Sequence, residues 1–166
     1  MYTAGVLTVS DSSAAGTRED TTGPEIMRIL KDADYRVVES AVVPDEKAAV
    51  STILMKWSDE TGLDIIISTG GTGLSPRDIT PEATGMVIHR EIPGIGEAIR
   101  LAGLQSTPRA MLSRGIAGVR GNTLITNLPG SPRAVSQGLE VILPVIRHAV
   151  DKIKGDQTPC HETREQ

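Results

Sequence analysis

The stretch that decides the fold is Leu63-Asp64-Ile65-Ile66-Ile67-Ser68-Thr69-Gly70-Gly71-Thr72-Gly73. Its first half is apolar and rich in β-branched residues, which predicts a buried strand, and the glycines follow where that strand ends. In an open parallel sheet, ligands bind just outside the carboxyl ends of the strands. A ligand site is therefore predicted at the glycines. Beyond them, Thr80-Pro81-Glu82 predicts a helix with Thr80 as its N-cap and proline in its first turn.

Apolar periodicity alternates between strand and helix patterns on both sides of this stretch. Strands are predicted over 6–9, 36–43 and 63–68, a hairpin over 116–128, and helices from 23, after 44, and over 80–88, 96–104 and 131–153. Strands that alternate with helices predict a single-domain three-layer α/β/α sandwich with a mostly parallel sheet and an antiparallel hairpin at one edge. We expect this domain to span 1–155, followed by a polar C-terminal tail over 156–166.

Composition excludes several classes of partner. The 166 residues include 17 Lys and Arg against 21 Asp and Glu, with no Phe and one Trp, so neither a basic field nor stacking platforms for nucleic acid are expected. The single cysteine, Cys160, gives no disulfide framework, which suits a reducing cytoplasm. No leader-like segment and no apolar run of about 18 residues is present, so no membrane association is expected.

Polar residues and glycines follow each predicted strand. These strand exits are Ser10-Asp11, Pro44-Asp45, the glycines at 70–73 and Pro129-Gly130-Ser131. Glycines allow the backbone to approach a ligand and direct N–H groups toward an anion, and a following helix N-terminus favours negative charge, so phosphate is the expected guest. The alternative is that the glycines only shape a tight turn. Neither a P-loop nor a dinucleotide fingerprint is present.

Two aspartates at these exits are candidate Mg²⁺ ligands. A Mg²⁺–nucleotide site needs only one or two protein carboxylates, because phosphate oxygens and waters complete it, and Asp45 and Asp78 meet that requirement. Each also has a structural interpretation: Asp45 as the cap of the next helix, Asp78 as a surface partner of Arg77. Ser113 is likewise open to interpretation as an ordinary loop hydroxyl. His89, His148 and His161 lack the spacing of metal ligands.

Five segments together resemble one family. They are 9–12, 43–46, 69–83, 107–114 and 128–132. In order and spacing they resemble the molybdopterin adenylyltransferases of molybdenum cofactor biosynthesis, the MogA-like enzymes and the similar G domains of plant Cnx1 and gephyrin. The resemblance implies transfer of AMP from Mg-ATP to the terminal phosphate of molybdopterin, with release of pyrophosphate.

The resemblance also implies roles for individual residues. It implies catalytic roles for Asp45, Asp78 and Ser113, with the two aspartates also as Mg²⁺ ligands. The implied substrate- and nucleotide-binding residues are Ser10, Asp11, Thr69, Gly70, Gly71, Thr72, Gly73, Pro76, Arg77, Pro129, Gly130 and Ser131. A homotrimer and a MoeA-like partner for molybdate insertion are implied as well.

Three other functions remain open from the sequence. One is a MoaB-type paralogue that binds molybdopterin with little catalysis, and another is a non-catalytic scaffold domain. The third is a CinA-like nucleotide hydrolase, which the Thr-Pro-Glu-Ala segment after Asp78 disfavours.

Overall fold

Strands and helices alternate from the first residues of the chain in a computed structural model that describes residues 1–158. The strands are β1 (Tyr2–Val9), β2 (Tyr35–Val43), β3 (Ile65–Thr69), β4 (Arg90–Glu91), β5 (Ala117–Arg120) and β6 (Thr123–Leu128). The helices are α1 (Asp11–Ala14), α2 (Thr22–Asp32), α3 (Lys47–Asp59), α4 (Thr80–Val87), α5 (Pro93–Leu104) and α6 (Pro132–Ile153), with a 3₁₀ helix at Pro108–Leu112.

The strands form one mixed sheet in the order β2-β1-β3-β6-β5-β4. The first four are mutually parallel, whereas β5 is antiparallel to β6 and β4 is antiparallel to β5. This confirms the predicted α/β sandwich with a mostly parallel sheet and a hairpin. The hairpin lies one strand further in than expected, because the two-residue strand β4 forms the edge beyond it.

Helices cover both faces of the sheet. Ile65 and Ile67 point into a core shared with α2, α5 and α6, while Ile66 points into a second core with α3 and α4. Successive side chains of a strand face opposite sides, so a strand buried on both faces must be apolar at every position. The continuous run of isoleucines therefore reflects a strand that is covered by helices on both faces, as in a three-layer sandwich.

The four parallel strands end at the same level. Val9 of β1 pairs with Val43 of β2, and Thr69 of β3 pairs with both Thr8 and Leu128. The residues that follow these strands are consequently neighbours along one edge. The structure thus brings together the four exits that the sequence predicted would converge.

Some local predictions were wrong or incomplete. Thr80 is not an N-cap, because Ile79 holds that position, and the Thr80 hydroxyl donates to the carbonyl oxygen of Gly70 at 2.8 Å. Elements α1, β4 and the 3₁₀ helix were not predicted. Cys160 and His161 lie outside the described residues. Within 1–158, no helix is both long and apolar enough to cross a membrane.

Candidate active site

The glycine turn at 70–73 is the centre of the site. Gly70 adopts φ +90°, and a Cβ there would lie 2.2 Å from the carbonyl oxygen of Val9, so no other residue fits. The main chain of the turn is fixed to the start of α4, since the Thr80 N–H donates to the Gly71 oxygen at 3.0 Å. Hydrogen bonds therefore join the end of strand β3, the turn and the start of α4.

Two clefts adjoin this turn. A larger one of about 400 Å³ lies between the turn, α5, the 3₁₀ helix and the start of α6. A smaller, more polar one of about 230 Å³ lies between the turn, the exit of β1 and the start of α2. Gly71, Asp78 and Gly130 line both clefts. The two clefts therefore adjoin at these three residues.

Asp45 lies in the smaller cleft and does not cap a helix. Its Oδ2 accepts from the N–H of Asp11 at 2.8 Å, and its own N–H donates to Asp11 Oδ1 at 2.9 Å. The cap position of α3 is Glu46, which makes no side-chain cap. The capping interpretation of Asp45 was therefore wrong. Burial raises the pKa of Asp45, and the charges of Asp11 and Asp78 raise it further.

Asp78 lies beside Gly73 and lines both clefts. Its Oδ2 accepts from the N–H of Ser75 at 2.8 Å. A Cβ on Gly73 would lie 2.8 Å from Asp78 Oδ2, and a Cβ on Gly71 would lie 2.9 Å from Asp45 Oδ1. The two carboxylates thus flank the glycine turn, and a side chain at either glycine would collide with them.

Arg77 pairs with Asp11 and not with Asp78. Its guanidinium donates to the two carboxylate oxygens of Asp11 at 2.9 and 2.7 Å, which lowers the pKa of Asp11 together with the Asp45 N–H. The surface-pair interpretation of Asp78 was therefore wrong. Asp11, Pro76 and Arg77 lie outside the lining of both clefts in the described chain. Through its bonds to Asp45 and Arg77, Asp11 connects the exits of β1 and β2 to the loop that follows the glycine turn.

The remaining predicted residues line the clefts. Ser10 and Thr69 line the smaller cleft with Gly70; Thr72, Gly73, Ser113, Pro129 and Ser131 line the larger one. Thr69 donates its hydroxyl to the Pro129 oxygen at 2.8 Å, which joins the exits of β3 and β6. Ser10 and Ser131 also cap α1 and α6.

The sequence prediction missed polar residues on the far walls. Arg100, Arg109 and Gln137 line the larger cleft, and Asp20 lines the smaller one. Asp20 accepts from the N–H groups of Thr22 and Gly23, so an acidic residue before a Gly-Pro helix start was a usable signal. The other three come from helices or loops distant in the chain, and no local pattern marks them.

The comparisons with known proteins decide the family. A family model described as a probable molybdopterin binding domain matches residues 5–148. The chain belongs to this family of molybdopterin-binding domains. The resemblance stated from the five sequence segments is confirmed.

Individual members of the family match most of the chain. The molybdopterin adenylyltransferase of Helicobacter pylori strain J99 is 40% identical over 95% of this chain and 91% of that protein. The molybdenum cofactor synthesis protein cinnamon of Drosophila melanogaster is 41% identical over 97% of this chain, which spans only 27% of that longer protein. The structure of the molybdopterin biosynthesis enzyme MoaB from Thermus thermophilus is 49% identical, with a TM-score of 0.89 over 94% of this chain and 98% of that one.

The two carboxylates of this molybdopterin-binding domain, Asp45 and Asp78, fit the needs of a Mg²⁺–nucleotide site. Within residues 1–158, no group of three or more His, Cys, Asp or Glu side chains is arranged to hold a metal. Asp45 and Asp78 offer hard oxygen ligands. Burial raises the pKa of Asp45 and the charges of Asp11 and Asp78 raise it further, and a bound cation would offset that negative charge. Mg²⁺ commonly uses one or two carboxylates and completes its shell with phosphate oxygens and waters.

Proposed function

We propose that this domain, over residues 1–155, transfers AMP from Mg-ATP to the terminal phosphate of molybdopterin and releases pyrophosphate. The observation that carries the proposal is the pair of clefts that meet at Gly71, Asp78 and Gly130. A transfer between two bulky substrates needs a separate space for each and a shared point for their phosphates. Relatives named molybdopterin adenylyltransferase support the same reaction.

The chemistry of the reaction suits the residues at this shared point. A terminal phosphate oxygen of molybdopterin bonds to the α-phosphorus of ATP, while the bond from that phosphorus to the bridging β-oxygen breaks and pyrophosphate leaves. The attacking phosphate is ionised near neutral pH, since its second pKa is about 6. No general base is therefore required, and the site must supply alignment and charge stabilisation.

The residues divide this work by their positions. Asp45 and Asp78 would hold Mg²⁺, which when bound neutralises charge on the reacting phosphates. The Gly70 N–H donates to the carbonyl oxygen of Leu128 at 3.3 Å, and we assign the N–H groups of Gly71, Thr72 and Gly73 to phosphate oxygens. Arg100 and Arg109 add positive charge to the larger cleft, and Ser113 adds a hydroxyl. We propose that the other residues at the strand exits bind the substrates by lining the two clefts: Ser10 and Thr69 in the smaller one, Pro129 and Ser131 in the larger one.

Purified protein incubated with molybdopterin, Mg²⁺ and ATP provides the test. We expect adenylylated molybdopterin and pyrophosphate in equal amounts, and neither product without molybdopterin. Tight molybdopterin binding with no product would favour the MoaB-type binder, and ATP breakdown without molybdopterin would favour a nucleotide hydrolase. No binding of either substrate would leave the scaffold function.

We further propose a cytoplasmic homotrimer that passes its product to a MoeA-like molybdate-insertion protein. Leu101 and Met111 beside the larger cleft are 63% and 62% exposed, and such apolar side chains favour contact with another chain. Light scattering of the purified protein should give three times the mass of the chain. A monomeric mass would contradict this part of the proposal.

A further inference from the structure

Arg114 contacts the loop around the glycine turn at both of its ends. Its main-chain N–H donates to the carbonyl oxygen of Thr72 at 2.9 Å and its Nε to that of Gly73 at 2.8 Å. Its Nη2 donates to the carbonyl oxygen of Asp78 at 2.8 Å, and its Nη1 contacts the carboxylate of Glu82. The planar guanidinium presents these donors in a fixed fork, so Gly73 and Asp78 are held at a set separation.

The segment between these two ends has few other anchors. Ser75 and Asp78 bond to each other, through Ser75 N–H to Asp78 Oδ2 at 2.8 Å and Asp78 N–H to the Ser75 oxygen at 2.9 Å. The remaining outside contact described is the ion pair of Arg77 with Asp11, whose side chains are 59% and 46% exposed. Exposed ion pairs hold their partners weakly. Arg114 therefore holds the Asp78 main chain from one side and the start of α4 holds it from the other, while the Ser75 N–H orients the Asp78 carboxylate.

Arg114 also sets where Ser113 lies. Arg100 of α5 donates through Nη1 to the carbonyl oxygens of Ser113 at 3.3 Å and Gly115 at 2.9 Å, one on each side of Arg114. The segment 113–115 is thereby attached to α5, and Arg114 attaches the glycine turn to that segment. Ser113 and Asp78, which both line the larger cleft, are joined through this one residue, by its main-chain N–H and its guanidinium.

We propose that Arg114 is a positioning residue that fixes the Asp78 carboxylate opposite Ser113 in the geometry needed for AMP transfer. The inference rests on the proposed function. Arg114 lies outside the lining of both clefts in the described chain, so it acts through Asp78 and not on the substrates.

The test compares Arg114→Lys with Glu82→Gln. Lysine keeps the charge but cannot reach both carbonyl groups with one ammonium, whereas Glu82→Gln leaves both carbonyl contacts of Arg114 in place. We expect Arg114→Lys to lower kcat for AMP transfer about 10- to 100-fold with little change in KM for either substrate, because small misplacements of an aligned group are costly. Glu82→Gln should stay close to wild type. Arg114→Gln is the second variant if the lysine variant does not fold.

A double variant shows whether Arg114 acts through Asp78. In an Asp78→Asn background, Arg114→Lys should cause little further loss of kcat, because residues that act as a unit are non-additive. Fully additive losses, or a loss confined to KM, would overturn the proposal.

Hydrogen exchange gives a readout that needs no activity. The amide of Ser75, which bonds to Asp78, should exchange about tenfold faster in Arg114→Lys than in wild type. If wild type transfers no AMP, the proposed function fails, yet faster Ser75 exchange in the variant would still support the positioning role of Arg114. Unchanged Ser75 exchange would overturn that role even in an active enzyme.

Discussion

Asp45 occupies a position that its local sequence assigns to a helix cap, yet its carboxylate bonds to the N–H of Asp11, 34 residues away. The pattern Asp-Glu-Lys-Ala is typical of a helix start, and the contact that prevails depends on β1 and β2 being neighbours in the sheet. Asp78 shows the same limit, because its neighbour Arg77 has a different partner. Local patterns identified both residues, but only tertiary structure gives their contacts.

Asp78→Asn should lower the turnover of AMP transfer on the order of 10²-fold, because the carboxylate stabilises charge that develops at the reacting phosphates. Molybdopterin affinity should change little. Steady-state kinetics with a parallel molybdopterin binding measurement checks this. A variant with wild-type turnover would remove Asp78 from its assigned role.

Asp45→Asn should remove a pH-dependent cost to stability. The pKa of Asp45 is raised in the folded state by burial and by the charges of Asp11 and Asp78, so wild type loses stability as the pH rises from the ordinary value toward the raised one. Asparagine does not titrate and can still accept from the Asp11 N–H. The free energy of unfolding of the variant relative to wild type should therefore rise across that window and level off above it.

Denaturant unfolding of both proteins from pH 4 to 8 measures this difference. The contribution of Asp11 to stability changes with pH in the opposite direction, because Arg77 and the Asp45 N–H lower the pKa of Asp11. Its stabilising contribution is present above the ordinary pKa and is lost as the pH falls through the lowered one. A flat difference for Asp45→Asn would contradict the raised pKa.

At the scale of elements, the glycine turn depends on the absence of side chains as well as on backbone conformation. Gly71→Ala would place a Cβ 2.4 Å from the Thr80 hydroxyl and 2.9 Å from Asp45, in addition to the cost of φ +62°. The matched control is Gly62→Ala, which has φ +68° and no atom within 4 Å.

The control should lose about 1–2 kcal/mol of unfolding free energy, the ordinary cost of alanine in the left-handed region. Gly71→Ala should lose more than that and should also lose AMP transfer, because Asp45 and Thr80 must shift. Equal losses in the two variants would show that the contacts around Gly71 do not restrict it.

The long elements were predictable, whereas the short ones were not. Strand β3 and helices α2, α3 and α6 carry enough periodic apolar residues to be identified without a structure. Helix α1, strand β4 and the 3₁₀ helix have too few residues to show a period, and they depend on tertiary contacts. Strand β4, for example, exists through its pairing with Val119 and Gly118 of β5.

At the scale of the whole molecule, the parallel sheet explains why the near wall of the site was predictable. Parallel strands place their exits together, so residues 10–11, 45, 69–73 and 129–131 could be grouped from the sequence. The far walls come from α2, α5 and the 3₁₀ helix, whose positions depend on packing that no local pattern encodes. Arg100 and Arg109 were therefore missed, and with them the division into two clefts; Asp20, just before the Gly-Pro start of α2, did carry a local signal.

That division is the central claim, since AMP transfer is assigned to the point where the two clefts meet. Crystals grown with molybdopterin and an unreactive ATP analogue test it most directly. We predict one substrate in each cleft, with the terminal phosphate of molybdopterin and the α-phosphate of the nucleotide facing each other beside Gly71, Asp78 and Gly130. Competition of both molecules for a single cleft, or an α-phosphate bound away from these three residues, would contradict the claim.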